Sequence, residues 1–374
     1  MSSIYQKLGV AAASTALSLI APQWADAASL YSLTDLGSLT GETFSYASGI
    51  NNSGQVIING GLDSTRAFIY SNGQLNEISP LPGDDSIAVT DINNFGQVVG
   101  NSGNSTSYSG NHALIYSGGT TQSLGGIEGI PYAINDSGQV VGGTTGGGIF
   151  PELAFPYGAA FLYSGGTTTI INNDLEANYV AYGINNLTQV VGIFSPSRAF
   201  LYDNGTFTSI TRDYSGPAQD INDLGQVVGY SLNDGNVETA FLYSSNTGLI
   251  SLGTVSPTDT FSYGLGINNL GQVVGSSGIY SNLYSTTGNG IRAFLYSDGV
   301  IQDLNSLIVS NPGFILTQAR DINDVGQIVG AGTINGELHA VLLTPYQKIP
   351  ESSLSVGILT FVAIGAGSQV KRKA

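Results

Sequence analysis

The segment Asp220-Ile221-Asn222-Asp223-Leu224-Gly225-Gln226-Val227-Val228-Gly229 is the clearest copy of a pattern that occurs seven times in this chain of 374 residues. In each copy one apolar segment ends in Ile-Asn, and a second begins with Gln-Val or Gln-Ile. The residues between them suit a tight turn, so the pattern predicts two short strands joined as a hairpin. The other six copies are centred on Ile50, Ile92, Ile134, Ile184, Ile267 and Ile322.

The turn of the pattern usually carries glycine where a positive φ is expected, as in Phe95-Gly96 and Leu270-Gly271. The fourth copy departs from this, because Leu187-Thr188 occupies the same place. Threonine is strained at positive φ, so we expect this one turn to be remodelled.

Two more strands are predicted after each hairpin. The third strand is apolar at successive positions, which is typical of a strand covered on both faces. A turn such as Ser71-Asn72-Gly73 then leads into a fourth strand such as Leu75–Ile78. The third strands are Ala67–Tyr70, Ala113–Tyr116, Ala160–Tyr163, Ala199–Tyr202, Ala240–Tyr243 and Ala293–Tyr296, with Ala340–Thr344 in the last copy.

The spacing of the copies decides the fold class. The central isoleucines are 42, 42, 50, 37, 46 and 55 residues apart. Four short strands in each such interval predict the blade of an all-β propeller. A β-solenoid is the alternative, although a parallel coil would be shorter and would lack the regular hairpins.

The two ends of the array predict how it closes. The last copy stops at Pro345 after three strands, whereas Leu30–Leu36 reads as an unpartnered strand before the first copy. Adding this strand to the last copy satisfies backbone groups that are otherwise unpaired. We therefore predict one domain over residues 28–346, a seven-bladed propeller closed by its N-terminal strand.

The charge of the chain restricts its partners. The formal net charge is −16, and between Ala28 and Tyr346 there are 24 acidic residues, 5 arginines and no lysine. Such a body repels nucleic acid and anionic membranes, which bind basic patches. It suits an extracellular surface protein, and it also suits solubility alone. The chain has no cysteine, which excludes disulfides, thiolate metal sites and cysteine nucleophiles.

Residues 1–27 have the features of a secretory signal peptide. Lys7 precedes the apolar run Leu8–Ile20, and Ala25-Asp26-Ala27 supplies the small residues at a cleavage site. We expect export and a mature chain that begins at Ala28. An ordinary N-terminal helix is the alternative.

Residues 347–374 have the features of a second targeting segment. Pro350-Glu351 precedes the uncharged apolar run 354–370, which is near the short limit for crossing a bilayer, and Lys371-Arg372-Lys373 follows. This order resembles the PEP-CTERM sorting signal of bacterial exported proteins, which implies an exosortase as a partner and cleavage near the motif. Ser352 stands where that family has a second proline. A plain C-terminal membrane anchor is the alternative.

Candidate catalytic and metal-binding residues are few. The only histidines, His112 and His339, occupy a repeat position that holds Arg, Thr or Ala in other copies, so neither is expected to be a catalytic base. Pairs such as Asn222-Asp223 offer oxygen ligands for calcium, but four copies carry Asn-Asn, so we expect these residues to serve the turn. A glycosidase needs two paired carboxylates, and nothing in the sequence pairs the acids of the irregular segments. These acids are Glu128, Glu152 and Asp174. We predict no catalytic residue, no metal and no cofactor.

The strand motifs carry a family resemblance. His-Ala-Leu-Ile-Tyr at 112–116, Arg-Ala-Phe-Leu-Tyr at 198–202 and the Ile-Asn-x-x-Gly-Gln-Val-Val-Gly copies are similar to the HAF repeats of bacterial extracellular proteins. The resemblance covers nearly all of residues 40–344. It implies an extracellular location and a repeat architecture, and it brings no set of catalytic residues.

The loops of such a propeller divide between two faces. The regular turns, between strands one and two and between three and four, share one face, which we call the turn face. The opposite face, the long-loop face, carries the insertions 101–111, 143–158 and 276–291 and the crossing 305–316. Aromatic residues beside Gly, Ser, Thr and Asn suit sugar stacking or protein contact, and packing onto the scaffold is the alternative. The candidate ligand-binding residues are Tyr108, Phe150, Phe155, Tyr157, Tyr280 and Tyr284.

We therefore expect a secreted or cell-surface, non-enzymatic β-propeller that mediates adhesion or interaction with exopolysaccharide or matrix. Its tail would attach it to the bacterial envelope before processing. The alternative is a polysaccharide-active hydrolase or lyase that uses carboxylates on the long-loop face.

Overall fold

The structure, a computed structural model, describes residues 30–61, 65–104, 111–144, 158–171, 178–212, 215–233, 235, 237–279 and 290–346. The predicted signal peptide, the predicted sorting segment and most of the long insertions lie outside these residues. The described part is built almost entirely from β-strands, with a short α-helix at Gly37–Thr40 and a 3₁₀ helix at Leu304–Leu307. None of the helices in these ranges is long and apolar enough to cross a membrane.

The strands follow the seven copies of the pattern, which we call units one to seven in chain order. A single strand, β1 (Tyr31–Asp35), precedes unit one. Units one and two contain β2 (Ser45–Ile50), β3 (Val56–Gly60), β4 (Arg66–Ser71), β5 (Gln74–Ile78), β6 (Ser86–Ile92), β7 (Val98–Gly103), β8 (His112–Ser117) and the first half of β9 (Thr120–Ile134). Units three and four contain the second half of β9, β10 (Val140–Thr144), β11 (Ala160–Ser164), β12 (Thr167–Ile170), β13 (Tyr179–Ile184), β14 (Val190–Phe194), β15 (Arg198–Asp203) and β16 (Thr206–Ser209). Units five to seven contain β17 (Ala218–Ile221), β18 (Val227–Leu232), β19 (Glu238–Ser244), β20 (Gly248–Gly253), β21 (Phe261–Ile267), β22 (Val273–Gly278), β23 (Arg292–Ser297), β24 (Val300–Asp303), β25 (Ile315–Ile322), β26 (Ile328–Ile334) and β27 (Glu337–Pro345).

Consecutive strands pair antiparallel within the units. In unit one the order is β2-β3-β4-β5, and Ile50 pairs with Val56 across the predicted hairpin. Units two and three share a sheet because β9 runs from one into the next, and a parallel bridge between Glu238 and Phe261 links units five and six. The predicted all-β class and the predicted four-stranded unit are confirmed.

Unit seven takes its outermost strand from the beginning of the chain. Its sheet has the order β1-β27-β26-β25. Tyr31 lies opposite Pro345 and Asp35 lies opposite Val341 in an antiparallel ladder. The Tyr31 side chain is buried in a cluster with Leu304 of the 3₁₀ helix, so β1 joins the core as well as the sheet.

The core lies between neighbouring units. The third strands contribute the phenylalanines that fill it, and Phe200 of unit four is fully buried. Phe200 packs in one cluster with Tyr179 of its own unit and with Ala133 and Val141 of unit three. Because burying a phenylalanine side chain stabilises a fold by about 1.5–3 kcal/mol, each unit is held by its neighbours. This confirms the prediction that the third strands are covered on both faces.

The turn of unit four keeps the geometry of the others. Thr188 has a φ of 65°, close to the 71° of Gly225 in unit five. The Thr188 backbone N–H donates to the Asn185 carbonyl at 3.1 Å, as Gly225 does to Asn222 at 3.0 Å. The expected remodelling of this turn is therefore wrong. The Thr188 hydroxyl donates to Gln139 Oε1 at 2.8 Å, which offsets part of the backbone strain.

The crossing 305–316 packs onto the scaffold. Leu307 and Phe314 are buried in the cluster that also contains Tyr31. The Asn305 side chain donates to the Leu316 carbonyl and accepts the Leu316 N–H, which fixes the two ends of the crossing together. In this segment of the long-loop face, packing onto the scaffold is what the structure shows.

Candidate functional site

A β-bulge in the first strand of every unit places one residue at a shared cavity, and we call this cavity and its continuation the channel. The pairing skips the residue two positions before the repeated isoleucine, for example between Ala47 and Gly49 in unit one and between Ala319 and Asp321 in unit seven. The same shift occurs in the other five units. A bulge leaves its extra residue out of the ladder and re-aims that side chain. The seven skipped residues all line one cavity, and we call them the bulge ring: Ser48, Thr90, Tyr132, Tyr182, Gln219, Leu265 and Arg320.

The glycine of Gln-Val-Val-Gly makes room for the bulge. A Cβ added to Gly100 would lie 2.1 Å from the Ala88 carbonyl oxygen, far inside van der Waals contact. Gly142, Gly192, Gly229, Gly275 and Gly330 face the first strand of their units equally closely. In these six units the glycine therefore allows the close approach of the bulged strand, whereas unit one forms the same bulge with Ile58 at this position.

The cavity inside the bulge ring has a volume of about 300 Å³. It also contacts Tyr46, near the start of β2, and the carboxylates of Asp91, Asp220 and Asp321. Because the first strands run towards the turn face, residues near their starts lie towards the long-loop face. The cavity thus lies between the turn face and the long-loop face. Its volume is at the lower end of the range for pockets that bind small ligands.

Arg320 is the one cation among the described residues that line this cavity. Its guanidinium lies 4.5 Å from the centre of the Tyr46 ring, and Nη2 donates to Gln318 Oε1 at 3.0 Å. Its Nε is buried without a hydrogen-bond partner. No carboxylate of the described residues forms a salt bridge with Arg320, whereas Arg66 pairs with Glu42 at 2.6 Å. Burial lowers the pKa of Arg320, although an arginine stays protonated at neutral pH.

Two tyrosines of the bulge ring line the same cavity as Arg320. In the order of the units, Tyr132 and Tyr182 belong to units three and four, and Arg320 belongs to unit seven. The two rings contact each other edge to face, with centroids 5.0 Å apart. Burial raises the pKa of Tyr182 to about 12, so its hydroxyl remains a neutral donor. The lining of the cavity therefore includes both a cation and aromatic rings.

Three aspartates connect units through their carboxylates. Asp91 Oδ1 accepts the N–H of Ile92 at 2.7 Å, and Oδ2 accepts the N–H of Ile134 in the next unit at 2.8 Å. Asp220 and Asp321 make the same pair of bonds, to Ile267 and Ile50 of the units that follow them.

The same burial makes these carboxyls weak acids. Burial raises the pKa of Asp91 to about 8, and the charge of Asp321 adds to the effect. Burial, with a contribution from the charge of Asp220, raises the pKa of Asp321 to about 7. The pKa of Asp220 is also raised by burial.

A ring of asparagines narrows the channel at the turn face. The Asn side chain that follows each repeated isoleucine donates from Nδ2 to the carbonyl of its equivalent in the next unit, as Asn51 does to Asn93 at 3.0 Å. The series continues through every unit and returns from Asn323 to the Asn51 carbonyl at 3.0 Å. Oδ1 of Asn51 also accepts two N–H groups of its own turn, from Ser53 and Gln55. The predicted turn role is correct, and a bridge between units accompanies it.

The next residue of each turn forms a second ring. Each backbone N–H donates to the side-chain Oδ1 of its equivalent in the following unit, as Asn94 does to Asp136 at 2.9 Å. The members are Asn52, Asn94, Asp136, Asn186, Asp223, Asn269 and Asp324. No two aspartates are neighbours, and the amide groups of asparagines donate to each carboxylate. Within the part of the chain that the structure describes, no three His or carboxylate side chains are placed to hold a metal ion.

The side chain at the histidine position of the repeats contacts an acidic side chain near the long-loop face. His112 Nδ1 lies 3.0 Å from Asp84 Oδ2, and His339 Nδ1 lies 3.0 Å from Asp35 Oδ1. The hydrogen bond to Asp84 raises the pKa of His112. Arg292 takes the same place in unit six, with Nη2 3.6 Å from Asp259. Glu128 lies 3.6 Å from His112 Nε2. These contacts explain a position that accepts either Arg or His.

The predicted ligand-binding residues lie outside the described residues: Tyr108, Phe150, Phe155, Tyr157, Tyr280 and Tyr284. So do the cleavage residues Ala25, Ala27 and Ala28, the sorting residues Pro350, Glu351 and Arg372, and the acids Glu152 and Asp174. The bulge ring was not predicted. A signal was present, because the position two residues before the repeated isoleucine is the one where the copies differ most in chemistry.

Comparisons with known proteins support the fold. The family described as "Protein of unknown function (DUF3466)" matches residues 206–343, less than half of the chain. No curated protein sequence matches the chain. The β-propeller domain of the trilobed protease from Pyrococcus furiosus, which has an open velcro topology, is similar with a TM-score of 0.52 and 10% identity, covering 81% of this chain and 96% of that one. A streptogramin B lyase has a TM-score of 0.51 and 11% identity, covering 84% of this chain and 98% of its own. At such identity the likeness establishes a β-propeller fold and no activity.

Proposed function

We propose that the seven units are the seven blades of a propeller that β1 closes. The ladder between β1 and β27 and the return of the asparagine ring from Asn323 to Asn51 support this arrangement. The contact of His339 with Asp35 adds a side-chain tie between the two ends.

Removing residues 28–38 tests the closure. The deletion takes away β1 and the buried side chains of Tyr31 and Leu36. We expect the melting temperature to fall by about 10 °C or more, since each kcal/mol lost from a domain of this size lowers it by about 2–4 °C. A chain that lacks only residues 1–27 is the control. An unchanged melting temperature in the longer deletion would contradict closure by β1.

We infer that the domain is a non-enzymatic binding module that contacts exopolysaccharide or matrix through its long-loop face and the channel behind it. The bulge ring is the observation that carries this inference. Seven equivalent bulges place seven side chains at one cavity, and these include a cation, two phenols in edge-to-face contact and neutral hydrogen-bonding groups. Aromatic rings beside fixed polar groups are suited to binding sugars, whose hydroxyls need donors and acceptors and whose C–H faces pack on rings.

A polysaccharide-active hydrolase or lyase remains the second candidate. The raised pKa values of Asp91 and Asp321 would allow a carboxyl to carry a proton at neutral pH, which a general acid requires. Both oxygens of each carboxylate already accept backbone N–H groups, so these carboxylates serve to connect neighbouring blades. We therefore favour binding.

A glycan array combined with a turnover screen separates the two candidates. We expect retention of one class of polysaccharide with no change in its chain length or reducing ends. Release of shorter or unsaturated products would support the enzyme instead. Absence of retention on every glycan would contradict the binding module.

We further propose that the chain is exported, sorted by an exosortase and held at the bacterial envelope or in the extracellular matrix. The signal-like residues 1–27 and the tail 347–374 support this proposal. Intact-mass measurement of protein from an exporting host is expected to place the N-terminus at Ala28. With an exosortase present, the mass should also show loss of the tail near Pro350-Glu351. A variant carrying Pro350→Ala and Glu351→Ala should keep the tail, and its loss from that variant would contradict sorting through this motif.

A further inference from the structure

Arg320 has an unusual position for a buried arginine. Placing a guanidinium in a low-dielectric site costs several kcal/mol unless an acid compensates for the lost hydration. Arg66 and Arg292 both contact carboxylates in this protein. Arg320 is held by an amide oxygen of Gln318 and a ring face of Tyr46, and its Nε has no partner. The described residues thus leave its charge without a counter-ion.

The geometry around Arg320 fits a planar anion. A guanidinium donates in a fork that matches the two oxygens of a carboxylate, and the pair is strongest where water is excluded. Gln318 and Tyr46 hold the group at the wall of the cavity. A ligand carboxylate in the cavity would supply the missing negative charge.

The other residues that line the cavity suit a ligand with hydroxyl groups and an apolar face. Tyr132 and Tyr182 line the same cavity as Arg320 and offer ring surface. Gln219 of the bulge ring offers an amide donor and an amide acceptor for hydroxyl groups. Arg320 is the one cation among the described residues that line the cavity, so the ligand should carry one carboxylate, and its other polar groups should be hydroxyls.

We propose that the channel binds a uronic acid, with the sugar carboxylate on Arg320 and the sugar ring against Tyr132 and Tyr182. This assignment rests on the proposed glycan-binding function and names its sugar class. It makes Arg320 the residue that distinguishes acidic from neutral glycans. The hydroxyls of the same sugar would form hydrogen bonds with Gln219 of the bulge ring.

Titration calorimetry with matched sugars tests the proposal. The ligands are D-glucuronate and D-galacturonate, with D-glucose, D-galactose and D-glucuronamide as neutral partners of the same shape. We expect the acids to bind the wild-type chain about tenfold or more tighter than the neutral sugars, which is the effect of one charge-assisted pair. Equal affinities of glucuronate and glucuronamide would overturn the proposal, and this comparison does not depend on any variant folding.

The Arg320→Gln variant tests the contribution of the Arg320 charge to binding. Arg66→Gln is the matched control, because this substitution removes an arginine charge outside the channel. We expect uronate affinity to fall about tenfold or more in Arg320→Gln and to stay within about twofold in Arg66→Gln. Unchanged uronate affinity in a folded Arg320→Gln chain would overturn the proposal. So would tighter binding of an amino acid such as alanine, which carries a carboxylate without sugar hydroxyls.

The glycan array distinguishes this inference from the function on which it rests. Retention of neutral polysaccharides, equal in wild type and Arg320→Gln, would leave the binding module in place and refute the uronic-acid site. Absence of retention on all glycans would refute the binding module itself.

Discussion

The buried aspartates of the channel should make the protein less stable as the pH rises. The folded-state pKa of Asp91 is raised from 3.8 to about 8 by burial, and that of Asp321 is raised to about 7. A carboxyl with a raised folded pKa binds more protons in the folded than in the unfolded state between these values. Its contribution to stability is therefore fully present below about pH 4 and is lost as the pH rises through about 8.

The size of the effect follows from the Asp91 pKa. A shift from 3.8 to about 8 corresponds to at most about 6 kcal/mol once the carboxyl is ionised. An effective dielectric constant of about 20, which describes even buried protein sites, reduces this cost, so we expect the unfolding free energy of the wild-type chain to fall by about 2–3 kcal/mol between pH 5 and pH 9 because of Asp91.

Asp91→Asn is the decisive variant. The asparagine oxygen can accept only one of the two N–H groups that Asp91 accepts, from Ile92 and Ile134. We expect the variant to be about 1–2 kcal/mol less stable than wild type at pH 5, where the carboxyl is neutral. At pH 9 it should equal or exceed wild type, because it carries no charge into the channel.

Urea unfolding at pH 5, 7 and 9 measures these differences. Asp298→Asn is the control, since Asp298 lies in a surface turn with a φ of 54°, a place that Asn72 takes in unit one with a φ of 51°. The control should keep the wild-type dependence on pH. If Asp91→Asn kept that dependence too, the reasoning about the buried carboxylates would be refuted.

Three further substitutions test the scaffold by the same urea assay. Gly100→Ala should cost about 2–4 kcal/mol, because its Cβ would lie 2.1 Å from the Ala88 carbonyl; a loss below about 1 kcal/mol would contradict the tight bulge. Asn93→Ala removes the side-chain bonds to Gln97 and Asn135 and should cost about 2–3 kcal/mol, and a neutral result would show that the asparagine ring does not couple the blades. Phe200→Ala should cost about 3–5 kcal/mol, since the side chain is fully buried, and a cost near zero would contradict its place in the core.

Local patterns were enough to predict the strands and hairpins. Period and turn chemistry depend on neighbouring residues, so Ile-Asn, the turn glycine and Gln-Val-Val-Gly could be read directly as two paired strands. The third strand could be assigned to the core because its apolar residues are consecutive. Thr188 shows the limit of this reasoning, since a hydrogen bond to Gln139 of another unit compensates for a backbone that looks unfavourable in isolation.

The channel could not be read from local patterns. A bulge depends on the register between two strands, and no single strand reveals which residue its partner will skip. Arg320 and Tyr132 are far apart in the chain, and only the ring of units brings them to one cavity.

By itself, the sequence determined a repeated four-stranded unit and a strongly acidic body, because strand period, turn residues and charge are local or additive properties. Tertiary structure alone decided that Asp91, Asp220 and Asp321 are buried, that their pKa values rise, and that Arg320 faces a shared cavity. The physical reason is that burial, desolvation and ligand geometry arise from groups that different units contribute to one place.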